Sequence, residues 1–213
     1  MSAVVIKVGG SLFDLPDLGP RLRAFLAALP TPRVLLVAGG GAVADLVRAA
    51  QATDGLDDAT CHWLALGGMR FMATLALARL DVPGAFVSDA AEWESAWRRG
   101  ALPLLDAHAF AAADEGRAGR LPHTWDVTSD SIAARAAVVF GISRLVLLKS
   151  RDWDEAAGWD AAARAGVVDA AFAQVVGTWV EASVVNFRTW QPPLAAPEAP
   201  PAAPPPAPPA HGP

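Results

Sequence analysis

Val4-Val5-Ile6-Lys7-Val8 is apolar at both alternating positions of a strand, carries one lysine, and breaks at once into Gly9-Gly10-Ser11. A strand that is apolar on both sides must be covered on both sides. Further apolar runs occur at 34–38, 85–87, 102–105, 144–148 and 182–187. Segments with helical spacing separate them. Residues 16–29 place Leu18, Leu22, Phe25, Leu26 and Leu29 on one face, closed by Pro30 and Pro32. Residues 42–52, 61–80, 89–99, 129–140 and 167–176 read as further helices, with a helical turn at 108–114 and Gly67-Gly68 as a kink or close helix contact in the longest. Residues 116–123 and 150–158 read as loops. Alternation of this kind predicts an α/β fold, a three-layer αβα sandwich with a mainly parallel central sheet. Parallel strands bring their C-terminal ends, and the loops after them, to one rim.

Composition narrows the partners. The chain has 213 residues, enough for one domain with a sizeable core, and residues 1–190 read as that domain. Residues 191–213 turn to proline and alanine and are expected to form a disordered tail. A formal net charge of −5 gives no basic footprint for nucleic acid and no polybasic membrane patch. No apolar run approaches the roughly 20 residues of a membrane span, and Lys7 with two glycines interrupts what would be the apolar part of a signal peptide. One cysteine, Cys61, excludes an intrachain disulfide and fits a cytoplasmic setting and a core position.

Four stretches carry residues suited to phosphate chemistry. Lys7 at the end of a buried strand, with glycines after it, places a fixed cation beside exposed backbone N–H groups. Gly39-Gly40-Gly41 lies between a strand and a helix, where the helix dipole adds to the same effect. Its Gly39-x-Gly41-x-x-Ala44 spacing also fits a loose dinucleotide fingerprint, whereas the strict Walker pattern is absent from the chain. Thr128-Ser129-Asp130-Ser131 crowds hydroxyls and a carboxylate at a helix start, where either Ser129 or Asp130 would serve as a simple N-cap. Lys149 ends an apolar strand, and burying it is costly unless it faces an anion or the rim. Arg70 is a candidate for an acceptor phosphate or a plain solvated helix residue. Trp125 and Trp153 lie in loops where either could stack on a ring. His62, His108 and His123 share no metal-ligand spacing and read as surface or cap residues, so no metal site is expected.

Taken together, Ile6-Lys7-Val8-Gly9-Gly10-Ser11, Val37-Ala38-Gly39-Gly40-Gly41, Thr128-Ser129-Asp130-Ser131-Ile132-Ala133-Ala134 and Leu147-Leu148-Lys149-Ser150 resemble, in order, the motifs of the amino acid kinase superfamily. That group includes acetylglutamate, glutamate, aspartate, uridylate and carbamate kinases. Val184-Val185-Asn186 resembles its closing strand, so the likeness spans roughly residues 3–188.

The resemblance implies one-step transfer of the γ-phosphoryl group of ATP to a small-molecule phosphate or carboxylate acceptor, with Mg²⁺ carried by the ATP. By similarity, Lys7, Asp130 and Lys149 would be catalytic. Gly9, Gly10, Ser11, Lys149 and Arg151 would hold the nucleotide phosphates. Gly39, Gly40, Gly41, Thr128 and Ser129, with Arg70, would face the acceptor. Relatives are commonly dimers or hexamers, so a homo-oligomer is expected. Two departures stand out. Arg151-Asp152-Trp153-Asp154 replaces the usual Val-Asp-Gly-type turn, and a late Met-x-x-Lys segment is missing. The compact length, and the Leu121-Pro122-His123-Thr124-Trp125 approach to Thr128, are similar to the branch that phosphorylates an aminomethylfuranyl-methyl phosphate on the way to methanofuran. The molybdenum storage branch, which keeps the nucleotide site without turnover, is the other compact form.

Overall fold

The computed structural model describes residues 2–192. The expected disordered tail falls almost wholly outside the described residues. Six parallel strands, β1 (Val4–Val8), β2 (Val34–Ala38), β3 (Gly84–Val87), β4 (Leu102–Leu105), β5 (Arg144–Lys149) and β6 (Glu181–Asn186), form one sheet in the order β3-β4-β2-β1-β5-β6. Eight helices accompany them among the described residues: α1 (Leu18–Ala28), α2 (Gly41–Asp54), α3 (Asp58–Leu80), α4 (Ala90–Arg98), α5 (Ala107–Asp114), α6 (Ser129–Phe140), α7 (Trp159–Arg164) and α8 (Phe172–Val176). The α/β sandwich with a parallel sheet expected from the strand pattern is the fold observed.

Period-two alternation divides the core. Val5, Leu35, Val37, Leu145 and Leu147 face one side, where they pack with Ile132, Ala133 and Ala136 of α6, Phe110 of α5 and Phe172 of α8. Val4, Ile6, Val8, Leu36 and Leu148 face the other, with Leu18, Leu22 and Phe25 of α1 and with Phe187. Lys7 and Lys149 fall on the α6 side by the same alternation. The register pairs Lys7 with Leu147, so Lys149 lies two residues further along the same face.

Helix α3 is apolar nearly all round because it serves both clusters. Leu66 and Met69 belong to the first, and Met72, Ala73, Ala76 and Leu80 to the second. It begins at Asp58, capped by Asp57 through the Thr60 N–H at 2.6 Å, and runs unbroken through Gly67-Gly68. A Cβ on Gly68 would lie 2.7 Å from Val43 Cγ1, so this glycine marks a close α2–α3 contact rather than a kink.

Two sequence expectations shift. The expected 167–176 helix is confined to α8, while 167–171 turns. Helix α7 has no counterpart in the sequence reading, since its six residues are alanine-rich and follow a polar loop. No helix among the described residues is long and apolar enough to cross a membrane.

Chain connections leave β1 towards β2 and leave β5 towards β6 on its other side. The point where the order reverses lies between β1 and β5, and in parallel sheets the crevice outside such strand ends is where ligands bind.

Candidate active site

At that crevice the backbone turns after β1 and β5 are tied together. Gly9 donates its N–H to Leu148 O at 2.9 Å, and the Ser11 hydroxyl donates to Ser150 Oγ at 3.1 Å. After β1 the chain enters a single 3₁₀ turn, Gly10–Asp14. After β2, Gly39 donates to Val8 O at 2.8 Å and α2 starts at Gly41 with no side-chain cap. The first N–H groups of such a helix have no intrahelical acceptor and are left for a ligand or water.

The two glycine turns touch backbone to backbone. A Cβ on Gly10 would lie 2.4 Å from Gly41 N and 2.5 Å from Gly41 Cα. Gly41 itself has φ +52°, a left-handed conformation that only glycine adopts freely. The turns therefore converge because neither residue carries a side chain. Gly10→Ala is expected to force them apart and to cost about 1–3 kcal/mol, measured by chemical denaturation.

Beneath the turns lies a three-residue charge cluster. Asp130, in the first turn of α6, is only 4% exposed. Lys149 Nζ donates to its Oδ2 at 2.6 Å. Lys7 Nζ faces its Oδ1 at 2.8 Å as an ion pair without the alignment of a hydrogen bond. Burial alone would raise the Asp130 pKa, but the charges of Lys7 and Lys149 outweigh it and hold the carboxyl below its ordinary value. For Lys149, burial first and the Lys7 charge second push the pKa down to about 8, against the pull of Asp130. Asp130 thus stands between two buried lysines, a local excess of one positive charge when both are protonated, which Asp169, close enough to act on Lys149, offsets in part. A buried cationic surplus beside free backbone N–H groups is suited to an anion that arrives from outside.

The start of α6 is fixed by a residue that the sequence did not mark. Thr128 occupies the N-cap position but its side chain accepts no capping bond. Asp169, from the turn before α8, supplies the cap. It accepts from Thr128 N and Thr128 Oγ1 at 2.9 Å each and from Ser131 N at 3.0 Å, and also from the Ser131 hydroxyl. Asp169 thereby sets the angle at which Asp130 meets the lysines. Nothing local could have revealed it, because it acts 38 residues beyond Ser131.

A cavity of about 780 Å³ opens from the glycine turns on the α2–α3 side. Gly10, Ser11, Gly40, Gly41, Thr128 and Ser129 line its inner end, and Val43, Leu66, Met69 and Met72 form its apolar wall. Trp125 also lines it, with its indole N–H on Gln51 Oε1 at 2.6 Å and the Arg48 guanidinium 4.3 Å from its ring centroid. Gly39 is set against the α6 start, where a Cβ would lie 3.1 Å from Ser129 Oγ.

Other candidates lie elsewhere. Arg70 pairs with Asp106 and stacks over Phe86 at 4.3 Å, and it is not among the cavity-lining residues. Helical periodicity could not tell this face of α3 from the one that faces the cavity. Arg151 is exposed after β5 and donates to Ala165 O at 3.3 Å. Trp153 packs against the α6-side core. Of the histidines, only His62 departs from the surface or cap reading: it is buried and its ring stacks on half-buried His123 at 4.6 Å, while His108 is exposed and Trp63 lies against both His123 and His108. Among the described residues, no group of three or more His, Cys, Asp or Glu side chains is placed to hold a metal ion.

A model of the amino acid kinase family matches residues 2–152. Solved structures with the same fold include the uridylate kinase of Archaeoglobus fulgidus, at 18% identity and a TM-score of 0.61, covering 86% of this chain and 90% of that one. The UMP kinase of Ureaplasma parvum matches at 16% identity and a TM-score of 0.62, covering 90% of this chain and 91% of that one. The UMP kinase of Bacillus anthracis matches at 13% identity and a TM-score of 0.60, covering 88% of each chain. No curated protein matches the chain in sequence.

Proposed function

The chain belongs to the amino acid kinase family, and from that premise we propose that it is an ATP-dependent small-molecule kinase that passes the γ-phosphoryl group of MgATP to a phosphate or carboxylate acceptor. The observation that carries this reading is the Lys7–Asp130–Lys149 cluster set beneath two converging glycine turns, with a cavity opening on the Gly41 side.

Each part has a physical task. The N–H groups of Gly10 and Ser11 hold the donor phosphates, as a Cβ-free turn allows close approach, while Gly9, expected from the sequence to share that task, spends its N–H on Leu148 O and fixes the turn instead. Lys7 and Lys149 neutralise charge on the group in flight, and Lys149 lies against the nucleotide side, where Ser11 meets Ser150. Arg151, exposed after β5, would reach the phosphates by releasing its hydrogen bond to Ala165 O. Asp130 holds both ammonium groups in place and lets the incoming phosphate supply the second negative charge. Gly39, Gly40, Gly41, Thr128 and Ser129 face the acceptor. Phosphoryl transfer of this kind needs positioning and charge neutralisation, which these groups provide without a covalent enzyme intermediate. Mg²⁺ would travel with the ATP and offset its charge. Two acceptors merit the first trials: uridine monophosphate, after the fold neighbours, and an aminomethylfuranyl-methyl phosphate, after the Leu121–Ser131 stretch.

Lys149 provides the test by pH. Its ammonium must be charged to work, and its pKa in the free protein is about 8. The kcat/KM profile is therefore expected to fall above about pH 8, because that parameter reports the free enzyme. In kcat the fall moves to higher pH, since bound phosphate favours the charged form. Lys149→Arg removes the fall. An unchanged alkaline limb in that variant would assign it to another group.

A further inference from the structure

One wall of the acceptor cavity holds a side chain that the transfer chemistry does not use. His62, in the first turns of α3, lines both the main cavity and the small pocket behind it, beside Phe110 and Leu121. It is only 8% exposed and forms no hydrogen bond with any described residue. Its ring is held by stacking on His123 at 4.6 Å and by an edge contact with Trp63 at 5.8 Å. His123 in turn is fixed by Glu115 Oε1 at 2.7 Å. His62 is thus oriented by its neighbours while its ring nitrogens remain unclaimed.

The cavity lining contains Asp14, Asp45 and Asp58 and one arginine, Arg48. Asp14 is paired with Arg188, which lies outside the lining, at 2.8 Å. Arg48 is already paired with Asp45 at 3.0 Å and stacked on Trp125. The cations able to neutralise an acceptor anion are Lys7 and Lys149, which pair with Asp130 in the first turn of α6, next to the cavity-lining Ser129. His62 lies ten residues along α3 from Met72, and Met72 sits against the Gly41 turn. At the helical rise the two residues are about 15 Å apart along α3, and both side chains reach into the one cavity that lies between them.

We propose that His62 is a specificity-determining residue, reading an uncharged or cationic hydrogen-bonding group at the far end of an acceptor whose single phosphate or carboxylate lies at the glycine turns. Burial and the nearby His123 push the His62 pKa down to about 4, with Glu115 opposing, so the imidazole is neutral near physiological pH. A neutral imidazole offers one donor and one acceptor and cannot balance a second anion. The apolar wall of Leu66, Met69 and Met72 suits the body between the two ends. Acceptors with two acid groups, such as glutamate or aspartate derivatives, are excluded on this account.

The inference rests on the acceptor-cavity assignment above, and its test separates the two. Benzyl phosphate, meta-hydroxymethylbenzyl phosphate and meta-carboxybenzyl phosphate are titrated calorimetrically into the full chain with a non-hydrolysable ATP analogue. The same three probes are then incubated with MgATP to follow transfer. The hydroxymethyl probe is expected to bind about tenfold tighter than either other probe, the worth of one buried hydrogen bond. His62→Phe should abolish the preference between probes, and His62→Gln should restore part of it. Because the readout is a ratio between probes, a general loosening of α3 does not imitate it, and the glutamine variant serves if the phenylalanine variant misfolds. Equal or tighter binding of the carboxy probe, survival of the preference in His62→Phe, or no binding of any probe while the ATP analogue binds would each overturn the proposal. The expected order of binding without transfer would uphold the role of His62 and count against the kinase reading. Transfer without that order would do the reverse.

Discussion

Asp130→Asn lowers stability by about 3 kcal/mol and leaves a folded protein that binds ATP but transfers slowly. The carboxylate stands between two buried ammonium groups, at 2.8 Å from Lys7 and 2.6 Å from Lys149. Removing one partner of a buried ion pair leaves uncompensated charge, which costs about 3–5 kcal/mol. The lower end applies here because Lys149, with its pKa already near 8, can shed its proton. ATP phosphates can still pair with the lysines in the variant, so affinity is retained. The lysines are no longer held in one geometry, and kcat is expected to fall about a hundredfold. Affinity collapse with unchanged kcat would contradict the orienting role. The pH dependence has a definite sign. The folded carboxyl titrates below its ordinary 3.8, so its contribution is complete above that value and is lost as pH falls through the lowered one. Acid denaturation of wild type should contain this step, and the asparagine variant should lack it.

Lys7→Ala is the second large effect. Lys7 is 3% exposed, lies in β1 just before the Gly9-Gly10 turn and faces Asp130 at 2.8 Å. Its loss removes a cation from the region where charge develops during transfer, which is expected to slow transfer about a thousandfold. Lys149 still partners Asp130 in this variant, so the carboxylate is not orphaned and the fold survives. Circular dichroism and ATP titration should therefore resemble wild type while turnover is lost. Near-normal turnover in Lys7→Ala would remove the lysine from the chemistry.

Much of the sheet could be read from the sequence because its strands are continuous apolar runs, and such runs have one stable environment. The convergence of Lys7, Asp130 and Lys149 was legible for a related reason. Each ends or begins an element at the same rim, and two are placed on one face by simple alternation. Asp169 was not legible, because a cap supplied from a distant turn leaves no mark in the helix that it caps. Arg70 and His62 show the limit on a single helix. Helix α3 is apolar nearly all round, so its pattern does not say which polar residue faces the cavity, and packing against Asp106 and His123 respectively decides the matter. Helix α7 escaped because a short alanine-rich segment between a loop and a turn has neither a strong cap nor a periodic stripe.

The measurement that bears most directly on the account is the fate of the γ-phosphate. MgATP labelled at that position is mixed with the full chain and with uridine monophosphate, acetylglutamate or an aminomethylfuranyl-methyl phosphate. Label is expected to pass to a monophosphate acceptor within a single turnover, with none retained on the protein, and Lys7→Ala is expected to bind ATP but stop the passage. Tight ATP binding with no label leaving the nucleotide for any of these acceptors would contradict the kinase reading, and would point instead to a nucleotide-holding protein built on the same fold.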